Sequence, residues 1–367
     1  MAMEFFDTHI SSQAVEMASS VLKSTWISEG KLVKDFETAL TRLLGLKNPV
    51  AVNSGTSALH LALVLSGVGP GDEVILPAQT FIATGLAVLM QGAQPVFADI
   101  DLHTANIDPA SIRAKLTSRT KAIMVVHWGG YPCPMDEISA IAGERGLPVI
   151  EDAAHALGAT YKERTVGSIS RFTAFSFQAI KHLTTGDGGA LCSIDDEDYR
   201  QCKIRRWFGI DRENSVPSVL GERSYDVANV GYKYHMNDLS AAVGLGNLED
   251  IFENLARRRE IAARYRDELS AVPGLTLIQC DKESQSACWL FTMLVEQRDD
   301  FIQTLKEHGI PASVVHQRID RNSVFGGMTE GLTSQDLFEK KQISIPVHGH
   351  LNDDHVDLII KTIRNGW

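Results

Sequence analysis

From about residue 48 to 195, short apolar runs alternate with helix-like stretches, and this alternation constrains the chain more than any other feature. The strand candidates are Val50–Val52, Glu73–Leu76, Pro95–Ala98, Ala122–Val126, Pro148–Glu151, Ala174–Phe177 and Ala190–Ser193. Most are not polar on alternate positions, which predicts burial on both faces. A sheet covered by helices follows: an α/β fold with mainly parallel strands. The stretch Ser57–Ser66 is apolar all round and predicts a buried helix.

The rest of the chain reads differently. From Asn237 to about Glu268 the spacing of Leu239, Val243, Leu248, Ile251 and Leu255 predicts one long helix with an apolar stripe. Arg257, Arg258 and Arg259 inside it read as a solvated helix face. Beyond Val272 the pattern predicts a strand (Trp289–Val295), a helix (Asp300–His308), a strand (Ile310–Val315), a loop rich in Gly, Ser and Thr, and a last helix (Asp353–Arg364). A length of 367 residues suits two domains, or one large domain with an appendage. The expected division is a large domain over residues 1–250, including the N-terminal segment, and a smaller C-terminal α/β domain over 251–367, including the linking helix.

Net charge is −11, which gives no general reason to expect nucleic acid or a membrane surface as partner, though a local basic pocket for an anion remains open. No apolar run reaches the ~18 residues of a membrane span. The opening MAMEFFDTHI has no basic segment before an apolar one, so no secretory signal is expected. The five cysteines (133, 192, 202, 280 and 288) form no CxxC pair. They read as reduced thiols of a cytoplasmic protein, with no metal site.

Three motifs carry chemistry. Asn53-Ser-Gly-Thr-Ser-Ala58 lies between a strand and the buried helix. A strand, a glycine-containing turn and a helix start leave backbone N–H groups free at the positive helix end, a place for a phosphate. Thr56 and Ser57 can add hydroxyl donors; the same residues would equally make an N-cap and a turn. In Val149-Ile-Glu-Asp-Ala-Ala-His155, Asp152 ends a buried strand, where sheets of this class place ligand groups. An acid there is costly unless paired or hydrogen-bonded, and a protonated ring nitrogen of a cofactor would serve. His155 could hold Asp152 or touch a ring oxygen. A capping Asp and a structural His are the plain alternative.

The third motif is Phe175-Ser-Phe-Gln-Ala-Ile-Lys181-His-Leu-Thr-Thr-Gly-Asp-Gly-Gly189. Lys181 is expected to end a strand, before a polar, glycine-rich turn and another strand. A Lys desolvated in a pocket loses part of its proton affinity and becomes a nucleophile able to form a Schiff base. A surface Lys in a hairpin is the alternative, but it leaves Ser176 and the Thr184–Gly189 turn unexplained. A phosphate cradle, an acid for a ring nitrogen and a Lys for an aldehyde together are the equipment for pyridoxal 5′-phosphate (PLP).

With these motifs the chain resembles the DegT/DnrJ/EryC1/StrS sugar aminotransferases, of the aspartate-aminotransferase fold (fold type I). The resemblance runs from Ser24-Thr-Trp-Ile-Ser-Glu-Gly30 through Gly69-Pro-Gly-Asp-Glu-Val-Ile75, Gln79-Thr-Phe-Ile-Ala-Thr84 and Gly92-Ala-Gln-Pro-Val-Phe97 to Gly231-Tyr-Lys-Tyr-His-Met-Asn-Asp238 and Ser344-Ile-Pro-Val-His348. It implies a large domain with a mainly parallel seven-stranded sheet and a smaller C-terminal α/β domain. It implies that Lys181 carries the cofactor, Asp152 bonds the pyridine nitrogen, and Phe81 stacks on the ring. Thr56, Ser57 and Ser176 would hold the phosphate, with Gly55 in the same turn, and His155 would lie near the ring hydroxyl.

The resemblance further implies a homodimer with shared active sites, in which the Gly231–Asn237 loop reaches into the neighbour. Lys233 would then bind the phosphate held by Ser57 and Ser176 of the other subunit, since a phosphate attracts an ammonium more strongly than a neutral amide. The implied reaction passes an amino group from an amino acid, glutamate by resemblance, through pyridoxamine phosphate (PMP) to a nucleotide-activated keto-sugar. The setting would be amino-sugar biosynthesis for surface polysaccharide or lipopolysaccharide. Arg205, Arg206, Arg212 and Arg321 are candidates for the diphosphate. Two other functions compete: a nucleotide-sugar 3-dehydratase of the same family, and a catalytically silent regulatory relative. The dehydratase branch carries His in place of the Lys; here Lys181 keeps the family register and His182 follows it. An intact Lys181, Asp152 and phosphate turn speak against a silent relative.

Overall fold

Seven strands build the sheet that carries the site, in the order Val50–Val52, Gly189–Ser193, Phe172–Ser176, Val149–Asp152, Thr120–Val126, Glu73–Pro77 and Gln94–Ala98. The computed structural model describes residues 3–279 and 281–367, so Cys280 lies outside the described residues. The other four cysteines are free and buried. The strands from Gln94–Ala98 to Phe172–Ser176 pair in parallel. Gly189–Ser193 returns antiparallel to Phe172–Ser176, and Val50–Val52 closes that edge, also antiparallel. Every predicted strand of this sheet is present, with ends within two residues. Helices cover both faces, which is why Val50–Val52, Glu73–Pro77 and Val149–Asp152 are buried at every position.

The helix Gly55–Leu65 begins where Ser54 Oγ accepts from the Ser57 N–H. It runs beneath the strands Phe172–Ser176 and Gly189–Ser193 and beside the helix Ile82–Met90, so its lack of a polar face matches its surroundings. A separate core surrounds a three-stranded antiparallel sheet of Leu275–Leu277, Phe291–Val295 and Gln342–Ile345. Helices Ile251–Leu269, Arg298–Glu307 and Asp353–Arg364 contribute Tyr265, Phe301 and Ile359 to it. No helix among the described residues is long and apolar enough to cross a membrane.

Four expectations are corrected. The long helix from Asn237 is two, Asp238–Asn247 and Ile251–Leu269, joined by a tighter turn at Leu248–Asp250. The helix Ser12–Ser24 packs against the first so closely that a Cβ on Gly246 would meet the Ala14 backbone. Asn247 at the break bonds outward, to the Ser11 N–H and the Thr184 carbonyl. The segment Ile310–Val315 is not a strand. Among the described residues its only backbone pairing with the sheet is Ser313 with Ser344, and Pro311 has no N–H to donate.

The expected loop after it holds the helix Thr333–Lys341 and the strand Gln342–Ile345. That helix is started from afar: the Asp99 carboxylate accepts the N–H groups of Ser334 and Gln335 at 3.0 and 2.8 Å. Finally, the arginines are not a solvated face. Arg258 is 2% exposed and donates to Asn254 Oδ1 and the Val347 carbonyl, while Arg259 reaches the carbonyls of Gly158 and Ser286.

Candidate active site

The parallel strands end at a cavity of about 380 Å3, within the ~300–1,000 Å3 common for small-molecule sites. Gly55, Thr56, Phe81, Asp152, His155, Ser176 and Lys181 all line it. Asp152 arrives as the last residue of a parallel strand and is 6% exposed. Its Oδ2 accepts from Thr84 Oγ1 at 2.7 Å and its Oδ1 from the Ala154 N–H at 3.2 Å. Burial pushes its pKa up, against the pull of these hydrogen bonds and of the Lys181 charge. Both of its hydrogen-bond donors are neutral, so a cationic ring nitrogen would give it a charged hydrogen-bond partner it otherwise lacks.

Lys181 does not end a strand. It stands in the turn between Phe172–Ser176 and Gly189–Ser193, a turn pinned by Phe177 N–H to Gly188 O and Thr185 N–H to Phe177 O. Enclosure takes its pKa down to about 7, opposed by Asp152. A large share of the amine is therefore unprotonated, and nucleophilic, near neutral pH.

His155 is 3% exposed and does not bond Asp152. It stacks on Trp289, ring centroids 3.8 Å apart and planes 12° apart. Burial holds it well below the usual imidazole range, so it is neutral. Its Nδ1 is buried with no hydrogen-bond partner among the described residues. Trp289 and His316 also line the cavity, and the sequence reading singled out neither. Trp289 looked like one more core residue of a strand. His316 sat in a segment read as strand and loop.

At the other end, the helix start leaves the N–H groups of Gly55 and Thr56 without intrahelical acceptors. Ser176 Oγ faces the same turn; a Cβ on Gly55 would come within 3.0 Å of Ser176 Cβ. Gly189 allows the strand to lie against that turn, since its Cβ would stand 2.7 Å from the Gly55 nitrogen. Phe81, at the start of Ile82–Met90, is 54% exposed, and its ring lies 5.3 Å from that of His316. A large apolar ring left open at a cavity wall is a stacking surface for a planar ligand.

The sequence profile of the DegT/DnrJ/EryC1/StrS aminotransferase family matches residues 8–364. The chain belongs to this family. It is 39% identical to the spore coat polysaccharide biosynthesis protein SpsC of Bacillus subtilis (strain 168), over 97% of this chain and 95% of that one. It is 35% identical to the GDP-perosamine synthase of Caulobacter vibrioides (strain ATCC 19089 / CIP 103742 / CB 15), over 93% and 92%. Spr1654 of Streptococcus pneumoniae, solved in its PLP-form, is 30% identical with a TM-score of 0.91, over 100% of this chain and 98% of that one. The fold is that of the PLP-dependent aminotransferases, fold type I, and PLP is the cofactor of this enzyme.

The residues present fit that group. Helix-end N–H groups and hydroxyls meet a phosphate, a buried carboxylate whose hydrogen-bond donors are all neutral meets a ring nitrogen, and an amine of lowered basicity stands within the same cavity. One expected contact, Ser57, is not brought to the cavity of this aminotransferase chain, and Lys233, expected at a neighbouring subunit's phosphate, lies away from its own cavity. Ser57 does not line it: its hydroxyl donates to Asn53 Oδ1 at 2.6 Å and its N–H is taken by Ser54 Oγ. Lys233 is exposed and lies outside the cavity lining, while its carbonyl accepts from Asn53 Nδ2.

The four arginines offered for a diphosphate do not line this cavity either. Arg206 and Arg212 border a larger cleft of about 840 Å3 that lacks Lys181 and Asp152. Arg206 is 5% exposed and clasped by Glu37, Glu29 and the Ala51 carbonyl, so it is a structural ion pair of the aminotransferase. Arg212 also pairs with Glu29, Arg205 donates to the Val230 carbonyl, and Arg321 lies 3.8 Å from Glu339. Arg206→Met should leave the buried Glu37 carboxylate without its cation and lower stability by about 3 kcal/mol, read from the denaturant midpoint. A loss below ~1 kcal/mol would mean the ion pair adds little.

Proposed function

We propose that this aminotransferase transfers the amino group of glutamate to a nucleotide-activated keto-sugar, in the cytoplasm, for an amino sugar of a surface polysaccharide or lipopolysaccharide. The observation that carries the reading is the convergence of Lys181, Asp152 and the Gly55 helix start on one cavity. The names of the relatives support the substrate class: one acts in polysaccharide biosynthesis and one makes a GDP-linked sugar. We read residues 1–250 as the cofactor-binding unit and 251–367 as the smaller one.

The cofactor, when bound, supplies an electron-withdrawing ring and an aldehyde or amine. The chain does the rest. Lys181 Nζ carries the proton between substrate carbon and cofactor as general base and then acid, and a pKa of about 7 suits both tasks. Asp152 keeps the ring nitrogen protonated. Neutral His155 stands near the ring hydroxyl. Phe81 orients the ring, Gly55, Thr56 and Ser176 bind the phosphate end, and Ser57 fixes the turn that presents them. A panel of nucleotide keto-sugars with glutamate, scored by mass spectrometry, tests the reading. A product with oxygen replaced by an amino group is expected. A product that has only lost water would favour the dehydratase.

We also propose a homodimer that shares its sites. Trp26 is 83% exposed and Val219, Leu220 and Val230 at least 72%, apolar surface of the kind a partner covers. Lys233, free of its own cavity, would bind the phosphate in the neighbouring subunit. Lys233→Ala should weaken PLP retention about tenfold, the scale of one charge-assisted hydrogen bond. Added PLP should then raise the melting temperature less than in wild type. Dialysis followed by visible absorbance reads the retention, and unchanged retention would remove Lys233 from the site.

A further inference from the structure

Trp289 stands two residues before the strand Phe291–Val295, yet its indole is 1% exposed and lines the cavity of Lys181. Several contacts converge on it. Lys181 Nζ lies 3.7 Å from the ring centroid. His155 stacks on the ring, and Phe6 packs nearly parallel at 5.1 Å. The indole Nε1–H donates to the Ile180 carbonyl at 3.0 Å, the peptide that leads into Lys181. The backbone is forced into place just before it. Cys288 has φ of +51°, a conformation that non-glycine residues seldom adopt and that clusters at functional sites. The Trp289 N–H is tied to the Gly129 carbonyl at 2.9 Å. Nothing in the reaction as described above uses this ring.

We infer that Trp289 is a positioning residue for Lys181: its ring face holds the free ammonium beside the cavity, and its Nε1–H fixes the peptide that carries that side chain. The amine thus leaves from and returns to one place as it takes up and gives back a proton. This rests on the reading of Lys181 as the proton carrier. The negative face of an indole attracts a cation, most strongly where water is excluded. It therefore favours the protonated amine, alongside Asp152 and against the effect of burial.

The other titratable groups that face the amine are His155, on the turn after Val149–Asp152, His182, next in the chain, and His316, from the segment beyond Ile310. Burial keeps all three imidazoles neutral, with His316 down to about 4. Asp187 also lines the cavity and is exposed. Asp152 is backed by the His127–Glu151 pair on the far face of its strand, where Glu151 also accepts from Ser170 N–H and Thr173 Oγ1.

The test uses the full-length enzyme loaded with PMP, in which Lys181 has no covalent partner. Cyanate carbamoylates unprotonated amines, so the rate of labelling at Lys181, mapped by mass spectrometry across pH, reports its titration midpoint. Trp289→Leu should lower the midpoint by about one pH unit, the size a desolvated cation–π contact supports. Where Leu disturbs folding, a ring-fluorinated tryptophan at position 289 keeps shape and N–H while draining charge from the face. It should lower the midpoint in step with the number of fluorines. Trp289→Phe keeps a face and loses the Nε1–H; its midpoint should stay near wild type while kcat falls at unchanged KM. An unmoved midpoint in the fluorinated enzyme would overturn the inference. Labelling needs no sugar turnover, so failure to aminate any keto-sugar would strike the proposed function and leave this result standing.

Discussion

Lys181→Ala is expected to keep PLP through its phosphate and ring contacts and to lose transamination by at least 10²–10⁴-fold, roughly the contribution of one general acid–base group. The expectation follows from placement. The amine is enclosed, of lowered basicity, and held in the turn between two buried strands. Among the described residues no other lysine lines the cavity to replace it. Borohydride treatment of the wild type should fix pyridoxyl on Lys181, and peptide mapping should find none in the variant. Label on another residue, or wild-type turnover in the variant, would remove Lys181 from its role.

Asp152→Asn should reduce turnover by about 10- to 1,000-fold, since a carboxylate beside a cation shifts its pKa by about 1–3 units and a neutral amide does not. The fold should not suffer. The amide oxygen can still accept from the Ala154 N–H, and its NH2 can donate to Thr84 Oγ1. The cofactor-free variant should even be as stable as wild type or more so near neutral pH, because burial raises the Asp152 pKa and the folded state gives up stability as that group ionises. Thermal melts of the cofactor-free proteins separate the two roles. If the variant melts lower yet turns over normally per folded molecule, Asp152 is a capping residue and not the partner of the ring nitrogen.

The sequence alone determined the sheet and the chemical frame of the site. Most of the strand candidates lack polar alternation, which predicts strands covered on both sides, and all seven lie in the main sheet. Asp152, Lys181 and the Gly55 turn were readable because each depends on neighbours close in the chain: a strand end, a glycine turn, a helix start. Tertiary structure alone decided what depends on distant partners. Arg206 resembles any surface arginine until Glu29 and Glu37 close around it. Arg258 looks solvated until the Val347 carbonyl meets it. The helix Thr333–Lys341 has its cap in Asp99, far back in the chain. Trp289 joins the site only because the C-terminal segment folds back over Lys181. A residue's type and spacing record its own polarity and its local backbone preference; the group that satisfies it, hundreds of residues away, is chosen by packing.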